Sequence, residues 1–340
     1  MAGQSFSKDA TRITIRHVAE DAGVSVAAVS KVLRNAYGVS EQLRHKVEQS
    51  IEKLSYRPSI AARAMRGQTH TIGILVIELS NPFLPGVIES ANERLAENGY
   101  KALIGMGLSV SRIEASMIEA MIDSRVDGVL LIAPHSSGKM LERLARQIPM
   151  VVIAHHEEAA AFDTVNSDDR KGAILAVETL FAKGHRDIAM VSYEGQASVP
   201  SEVVVQREAG YHQAMHDAGL AEHARIFRLP PPGEDRTEAR ASFLSSKDRP
   251  RAVFVWSDLD AIPLLADCRT SGVRVPEDMA IIGYDNSPPA SIPLVGLSSI
   301  DQGPTAMGRR AADLLLSRIG GRSKTEHVLI APRLEARDTQ

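Results

Sequence analysis

Cysteine is nearly missing from this chain, with Cys268 the single example in 340 residues. A lone thiol excludes an intrachain disulfide framework and a four-thiolate metal centre, and it fits a reducing cytosol. Long hydrophobic runs are missing as well. No stretch approaches the roughly 20 apolar residues that cross a bilayer, so no membrane partner is expected. The first residues, Met1 to Arg16, lack the apolar centre of a secretory leader, and the expected compartment is the cytoplasm. The signatures of common α/β enzymes are also absent: there is no Gly-x-Gly-x-x-Gly after an apolar run, no Walker loop and no Gly-x-Ser-x-Gly elbow. Gly105-Met-Gly107 is only a fragment of the first. An enzyme is therefore the weaker alternative, with no catalytic residue and no cofactor assigned. His155-His156-Glu157 places two imidazoles beside a carboxylate, but neighbours on an extended strand point to opposite sides and no third ligand follows at a suitable spacing. No metal is expected on that spacing. Internal repeats and long low-complexity tracts are lacking too; Pro230 to Pro232 reads as a rigid loop.

What the chain does have is enough material for two or three folding units, at 44% apolar and 24% charged residues. Its net charge of −3 hides an asymmetry. Residues 1–70 carry 11 Lys and Arg against 6 Asp and Glu, whereas the remainder carries 28 against 36. The N-terminal part suits a polyanion and the rest does not.

Helical periodicity begins at Thr14, whose hydroxyl can cap a short helix turning Ile15, Val18, Ala19 and Ala22 inward. Gly23 ends that helix, and Ser25 is placed to cap a second whose buried stripe is Val26 or Val29 with Val32 and Leu33. Two short helices joined at a glycine form a helix-turn-helix. Ser40 opens a third, with Leu43, Val47, Ile51 and Leu54 packing over the pair, and Pro58 stops it. Residues 59–67 contain good helix formers but too little apolar surface to hold a helix unaided. From Thr71 the pattern changes to short apolar runs separated by amphipathic stretches: 72–77, 102–106, 129–133, 150–154, 188–191, 252–256 and 279–284. Such runs predict parallel strands of a doubly wound α/β sheet, and about 270 residues of them suit two sheets. The fold class expected is α/β: an all-helical head ahead of two doubly wound lobes.

In a helix-turn-helix the first residues of the second helix face base edges, which nominates Val26, Ala27 and Lys31 as readers. Thr14, Ser25 and Ser30 are expected to position phosphates. Ligands of open α/β sheets sit beyond the carboxyl ends of the strands. The residues there are Ser80, Asn81, Phe83, Ala154, His155, Ser257, Asp258 and Asp285, a set of carboxylates, amides and aromatics suited to a hydroxyl-rich ligand.

The run from Ile13 to Leu33 resembles the DNA-binding head of the lactose-repressor (LacI/GalR) family of bacterial transcription regulators. The resemblance continues through Val39-Ser40, Leu54-Ser-Tyr-Arg-Pro58, Ala62-Arg-Ala-Met-Arg-Gly67, Ser80-Asn-Pro-Phe83, Val126-Asp-Gly128, Arg207-Glu-Ala-Gly-Tyr211, Gly283-Tyr-Asp285 and Met307-Gly308. It implies a ligand-responsive repressor that works as a homodimer on near-palindromic operator DNA and senses a small metabolite, a sugar or sugar derivative. The absence of a heptad tail after Arg337 favours the dimer over a tail-built tetramer. The alternatives are a periplasmic-type binding protein without a DNA role, which residues 13–67 oppose, and an enzyme on the same scaffold. The domains expected are a DNA head (1–58), a hinge helix and linker (59–69) and a two-lobed, periplasmic-binding-protein-like core (70–340). Its N-lobe takes about 70–168 plus 302–325, and its C-lobe about 169–301 plus 326–340. By the same resemblance Tyr56 and Arg63 join the DNA contacts, and Met65 is an apolar wedge between central base steps. In the core, Arg207 and Asp285 reach the effector from opposite walls and Gln302 lies where the chain crosses between lobes. A structural ion pair or loop cap is the competing role for Arg207 and Asp285. The chain departs from the commoner family pattern at Ala154-His155 and Ser257-Asp258, which points to an effector other than a common hexose.

Overall fold

The computed structural model describes residues 13–33, 36–56, 68–108, 110–157, 159–194 and 202–340. The chain divides into two compact units, Met1–Thr69 and His70–Gln340. Among the described residues no helix is long and apolar enough to cross a membrane.

The first unit is built on α1 (Ile15–Asp21), α2 (Val26–Leu33) and α3 (Glu41–Lys53). The backbone N–H of Thr14 donates to His17 Nδ1 at 3.2 Å, closing the start of α1. Gly23 turns the chain at φ +64°, a conformation that costs glycine nothing. Ser25 Oγ then accepts from the N–H of Ala28 at 3.1 Å, and Ser40 Oγ from that of Leu43 at 3.3 Å, so both hydroxyls cap their helices as expected. Val18, Ala19, Val29, Val32, Val47 and Tyr56 make the core. Of the two candidates for the inner stripe of α2, Val29 is the buried one.

The second unit holds two six-stranded sheets. The first comprises β1 (Thr71–Val76), β2 (Lys101–Met106), β3 (Gly128–Ile132), β4 (Met150–Ile153), β5 (Asp163–Ser167) and β11 (His327–Ile330), in the order β11-β5-β4-β3-β1-β2 and parallel throughout. The second comprises β6 (Ile188–Tyr193), β7 (Arg225–Leu229), β8 (Ala252–Val255), β9 (Ala280–Tyr284), β10 (Ser298–Asp301) and β12 (Arg333–Glu335), in the order β12-β10-β9-β8-β6-β7. Its one antiparallel pairing is β12 on β10. Both sheets bury both faces. Ile72, Ile74 and Val76 pack under α4 (Leu84–Glu97) and α11 (Pro304–Ile319), while Leu75, Val129 and Leu131 pack on the other side with Ile118 and Met121 of α5 (Ser111–Asp123). The second sheet divides its strands between two clusters in the same way.

The C-lobe boundary expected at 326 needs correction. Residues 327–330 join the first sheet, paired in parallel with β5 from His327↔Thr164 to Ile330↔Ser167, and only β12 belongs to the second. The cause is Asp163, fully buried, whose carboxylate takes Arg318 at 2.9 Å, Arg322, and the backbone N–H of Glu326 at 2.9 Å. Those contacts hold the segment before β11 against the first lobe.

Candidate functional site

On α2 the three expected readers lie on the surface. Val26 is 41% exposed and Ala27 and Lys31 are exposed, while Val29 and Val32 are buried. Thr14 and Ser25 are exposed and Ser30 is half-buried. Tyr56 is different: at 6% exposure its ring belongs to the core of the head, because the chain after α3 folds back and its N–H donates to Ile51 O at 2.9 Å. Tyr56, expected among the DNA contacts, thus has most of its surface inside the head. Arg63 and Met65 lie outside the described residues.

In the core, the carboxyl ends of the second sheet gather a buried polar array around Arg207, which sits on α8 (Glu202–Asp217) at 3% exposure. Its Nε donates to Asp169 Oδ1 at 2.8 Å, and its Nη1 donates to the carbonyl of Trp256 and lies 3.8 Å from Asp285 Oδ1. The guanidinium also lies over the Tyr284 ring, 3.6 Å from its centroid. Arg207 and Asp285 therefore share one wall, where the family resemblance implied two. The reason is local: α8 packs over the sheet whose strand β9 ends at Tyr284, immediately before Asp285. Asp285 itself accepts from Ser257 Oγ at 2.7 Å and from Gln302 Nε2 at 2.6 Å, so Gln302 ties the interlobe crossover to this wall. Burial pushes the Asp285 carboxyl up to about 7 against the pull of Arg207.

Asp258 opens α10 (Asp258–Thr270) and is fully enclosed. Its Oδ2 accepts from the N–H and Oγ of Ser287 at 2.7 and 2.9 Å, and its Oδ1 from Ser299 Oγ at 2.7 Å. Burial raises this carboxyl as well, to about 6. Asp258, expected as a ligand contact, braces the loop that carries Asp285. Trp256, half-buried beside Ser257, donates its indole N–H to Asp260 at 2.6 Å and meets Tyr193 edge-on, with centroids 4.6 Å apart.

The first lobe contributes less than expected. Asn81 is half-exposed, but its Oδ1 caps the N–H of Phe83 at 2.9 Å, and the Phe83 ring packs into the lobe core. Phe83, expected as a ligand contact, sits at the N-cap of α4 and is buried with the lobe core. His155, only 4% exposed, follows β4 closely; Asn166 brackets its backbone, accepting from its N–H and donating to its carbonyl, each at 2.8 Å.

Two further residues join the array without a local sequence signal. Asp169, first in α7 (Asp169–Ala182), takes both Arg207 and the imidazole of His156, the latter at 2.9 Å. Glu202, first in α8, accepts from the N–H of His156 and lies 3.3 Å from His155 Nδ1. Motif spacing does not expose such pairs, since they are 13 to 47 positions apart and the two histidines meet their carboxylates across the lobes.

Known proteins resemble this chain in both units. Residues 14–59 match the family model described as bacterial regulatory proteins, lacI family, and residues 177–340 match the periplasmic binding protein-like domain. A relative from Photobacterium profundum, the HTH-type transcriptional repressor PurR, is 30% identical over 93% of this chain and 94% of its own length. Among solved structures, a complex of the transcriptional regulator CelR with cellobiose is 28% identical, covers 97% of this chain and all of its own, and superposes with a TM-score of 0.69. The lac repressor dimer bound to operator and the anti-inducer ONPF shares the fold, at a TM-score of 0.84 and 24% identity, covering 97% of this chain and 99% of its own. With its helix-turn-helix head and two-sheet core, the chain belongs to the lacI family of bacterial regulatory proteins and is a DNA-binding transcription regulator.

Proposed function

We propose that this regulator is a repressor that binds a near-palindromic operator as a homodimer and changes its grip when the core takes up a small hydroxyl-rich metabolite, a sugar or sugar derivative. The observation that carries the reading is the buried array of Arg207, Asp169, Asp285 and Gln302 at the carboxyl ends of the second sheet, where open α/β folds hold their ligands. Arg207 supplies donors in a fixed fork, Asp285 an acceptor or donor according to its proton, and Gln302 both, which is the equipment for sugar hydroxyls that donate and accept at once. The cellobiose held by the CelR regulator supports the same class of ligand here.

In the head, Val26, Ala27 and Lys31 read base edges, Thr14, Ser25 and Ser30 contact phosphates, Arg63 adds charge and Met65 wedges into the minor groove. The hinge over 59–69 lies between the head (1–58) and the core (70–340). Regulation needs no chemical step, so the protein acts by binding and not as an enzyme, in the cytoplasm, where its DNA is.

A thermal-shift screen of sugars, polyols and sugar acids on the whole chain tests the effector class, since a ligand at about 100 times its dissociation constant adds about 2.7 kcal/mol. Gel shifts on the DNA upstream of the protein's own reading frame, with and without the hit compound, test the coupling. A screen in which no hydroxyl-rich compound stabilises the chain, or a hit that leaves operator affinity unchanged, sinks the reading.

A further inference from the structure

We propose that His155, Glu157 and Glu202 form a binding site for a divalent transition-metal ion that ties the two lobes of the core together. One donor atom from each of the three side chains lies within 4.8 Å of the others. His155 and Glu157 follow the end of β4 in the first lobe, and Glu202 opens α8 in the second. A cation at this point would hold both lobes at once, beside the four residues proposed to carry the effector, Arg207, Asp169, Asp285 and Gln302, and on none of them.

Three observations point to a ligand and not to a chance meeting of charges. The first is His155 itself. It is 4% exposed, its ring is steadied against Phe162 with centroids 5.5 Å apart, and its Nε2 has no hydrogen-bond partner. Buried polar atoms are almost always paired, so an imidazole nitrogen left alone at this depth is short of a partner. The second is the space beside the ring. A Cβ added at Gly138 would lie 2.6 Å from Glu157 Oε2 and 3.7 and 3.8 Å from Nε2 and Cε1 of His155, so this edge of the imidazole and the carboxylate border the same small space, kept open by a residue without a side chain. The third is the fixing of Glu202. One of its oxygens accepts from the N–H groups of His156 and, at 3.4 Å, Glu157, while the other lies 3.3 Å from His155 Nδ1. Two carboxylates brought this close repel one another, and a divalent cation between them reverses the sign of that term.

The donor set selects the class of ion. One imidazole and two carboxylates are borderline to hard ligands, suited to Zn2+ or Mn2+, and three protein ligands leave coordination positions for water. Sequence spacing hid the site because its third ligand lies 45 residues beyond Glu157.

Titration calorimetry of the full-length, chelator-treated chain with ZnCl2, and separately with MnCl2, tests the proposal. One saturable ion per chain is expected. Glu157→Gln and Glu202→Gln should each weaken it tenfold or more, with the melting temperature of the metal-free protein little changed. Gly138→Ala retains every ligand yet puts a methyl group 2.6 Å from Glu157 Oε2, and should weaken the ion as well, which covers a ligand variant that fails to fold. Absence of saturable binding by either ion, or binding that all three variants leave unchanged, overturns the site. Operator binding and effector stabilisation, both read in chelator, test the regulator reading separately.

Discussion

Arg207 is held on three sides: its guanidinium bonds Asp169 and the Trp256 carbonyl and lies over the Tyr284 ring. Removing it leaves Asp169 and Asp285 as buried carboxylates short of a cation, which typically costs about 3–5 kcal/mol. Arg207→Ala should therefore lower stability by that order and abolish the effector response, while operator affinity below the melting range stays near that of the parent. Gel shifts across a ligand titration check this, and a normal response at unchanged ligand concentration would show that Arg207 is only structural. Asp285 gives a second test. With its carboxyl pushed up to about 7, the folded chain keeps a proton that the unfolded chain has released above about pH 4. The contribution of Asp285 to stability accordingly falls as pH rises from about 4 to 7 and is flat beyond. Asp285→Asn removes that slope and tolerates the positive φ of +110° at this position. The stability of the parent relative to the variant, from urea unfolding, should drop between about pH 5 and pH 8; a constant or rising difference would exclude the raised carboxyl. Residue chemistry at the site was partly legible in the sequence. Strand-end logic found Asp285 and Ser257, but it did not separate ligand-facing from bracing groups, and it missed Asp169 and Glu202, whose partners are set by tertiary contact.

Among the elements, the apolar strands were readable and the polar ones were not. Strands such as β1, β3 and β4 are buried on both faces by helices and show as continuous hydrophobic runs. The β5 segment, Asp163–Ser167, is equally buried but reads Asp-Thr-Val-Asn-Ser, because Arg318 and Arg322 neutralise Asp163 and Asn166 serves the backbone of His155. Ser298–Asp301 is buried on similar terms, with Ser298 and Ser299 bonded to Arg337 and Asp258. No hydrophobic period marks such strands. Helix packing brings a third prediction. Where α4 and α11 cross, a Cβ on Gly308 would stand 2.1 Å from Ser90 Oγ and 2.3 Å from the carbonyl of Val87. The second neighbour is backbone and cannot swing away. Gly308→Ala should separate the helices and cost about 1–3 kcal/mol or more, seen as a lowered midpoint of thermal or urea unfolding. An unchanged midpoint would show that the helices do not pack as closely as described.

Across the whole molecule, the charge asymmetry, the change of period at Thr71 and the division at Thr69 agree on a basic head followed by an acidic core. The path of the chain between the sheets was less legible: after α11 it adds β11 to the first sheet and then returns to the second as β12, on the strength of ion pairs that no periodicity reports. Residues 57–69 are the covalent link from the head to the core, so an effector signal carried along the chain passes through them. The stretch from Ser59 to Gly67 is too short at nine residues to hold a helix unaided, and it carries two cations, Arg63 and Arg66. Met65 is the one large apolar side chain among Arg63, Met65 and Arg66, and an apolar wedge returns the few kcal/mol spent on unstacking a base step by permitting a bent, better-contacted duplex. Met65→Gly should thus weaken operator binding by roughly tenfold or more and reduce operator bending. Effector affinity and the salt-dependent binding of unrelated DNA, which rests on phosphates alone, should barely change. Gel mobility of circularly permuted operator fragments reads the bend directly: an unbent complex with the parent chain, or an equal bend with Met65→Gly, would rule the wedge out.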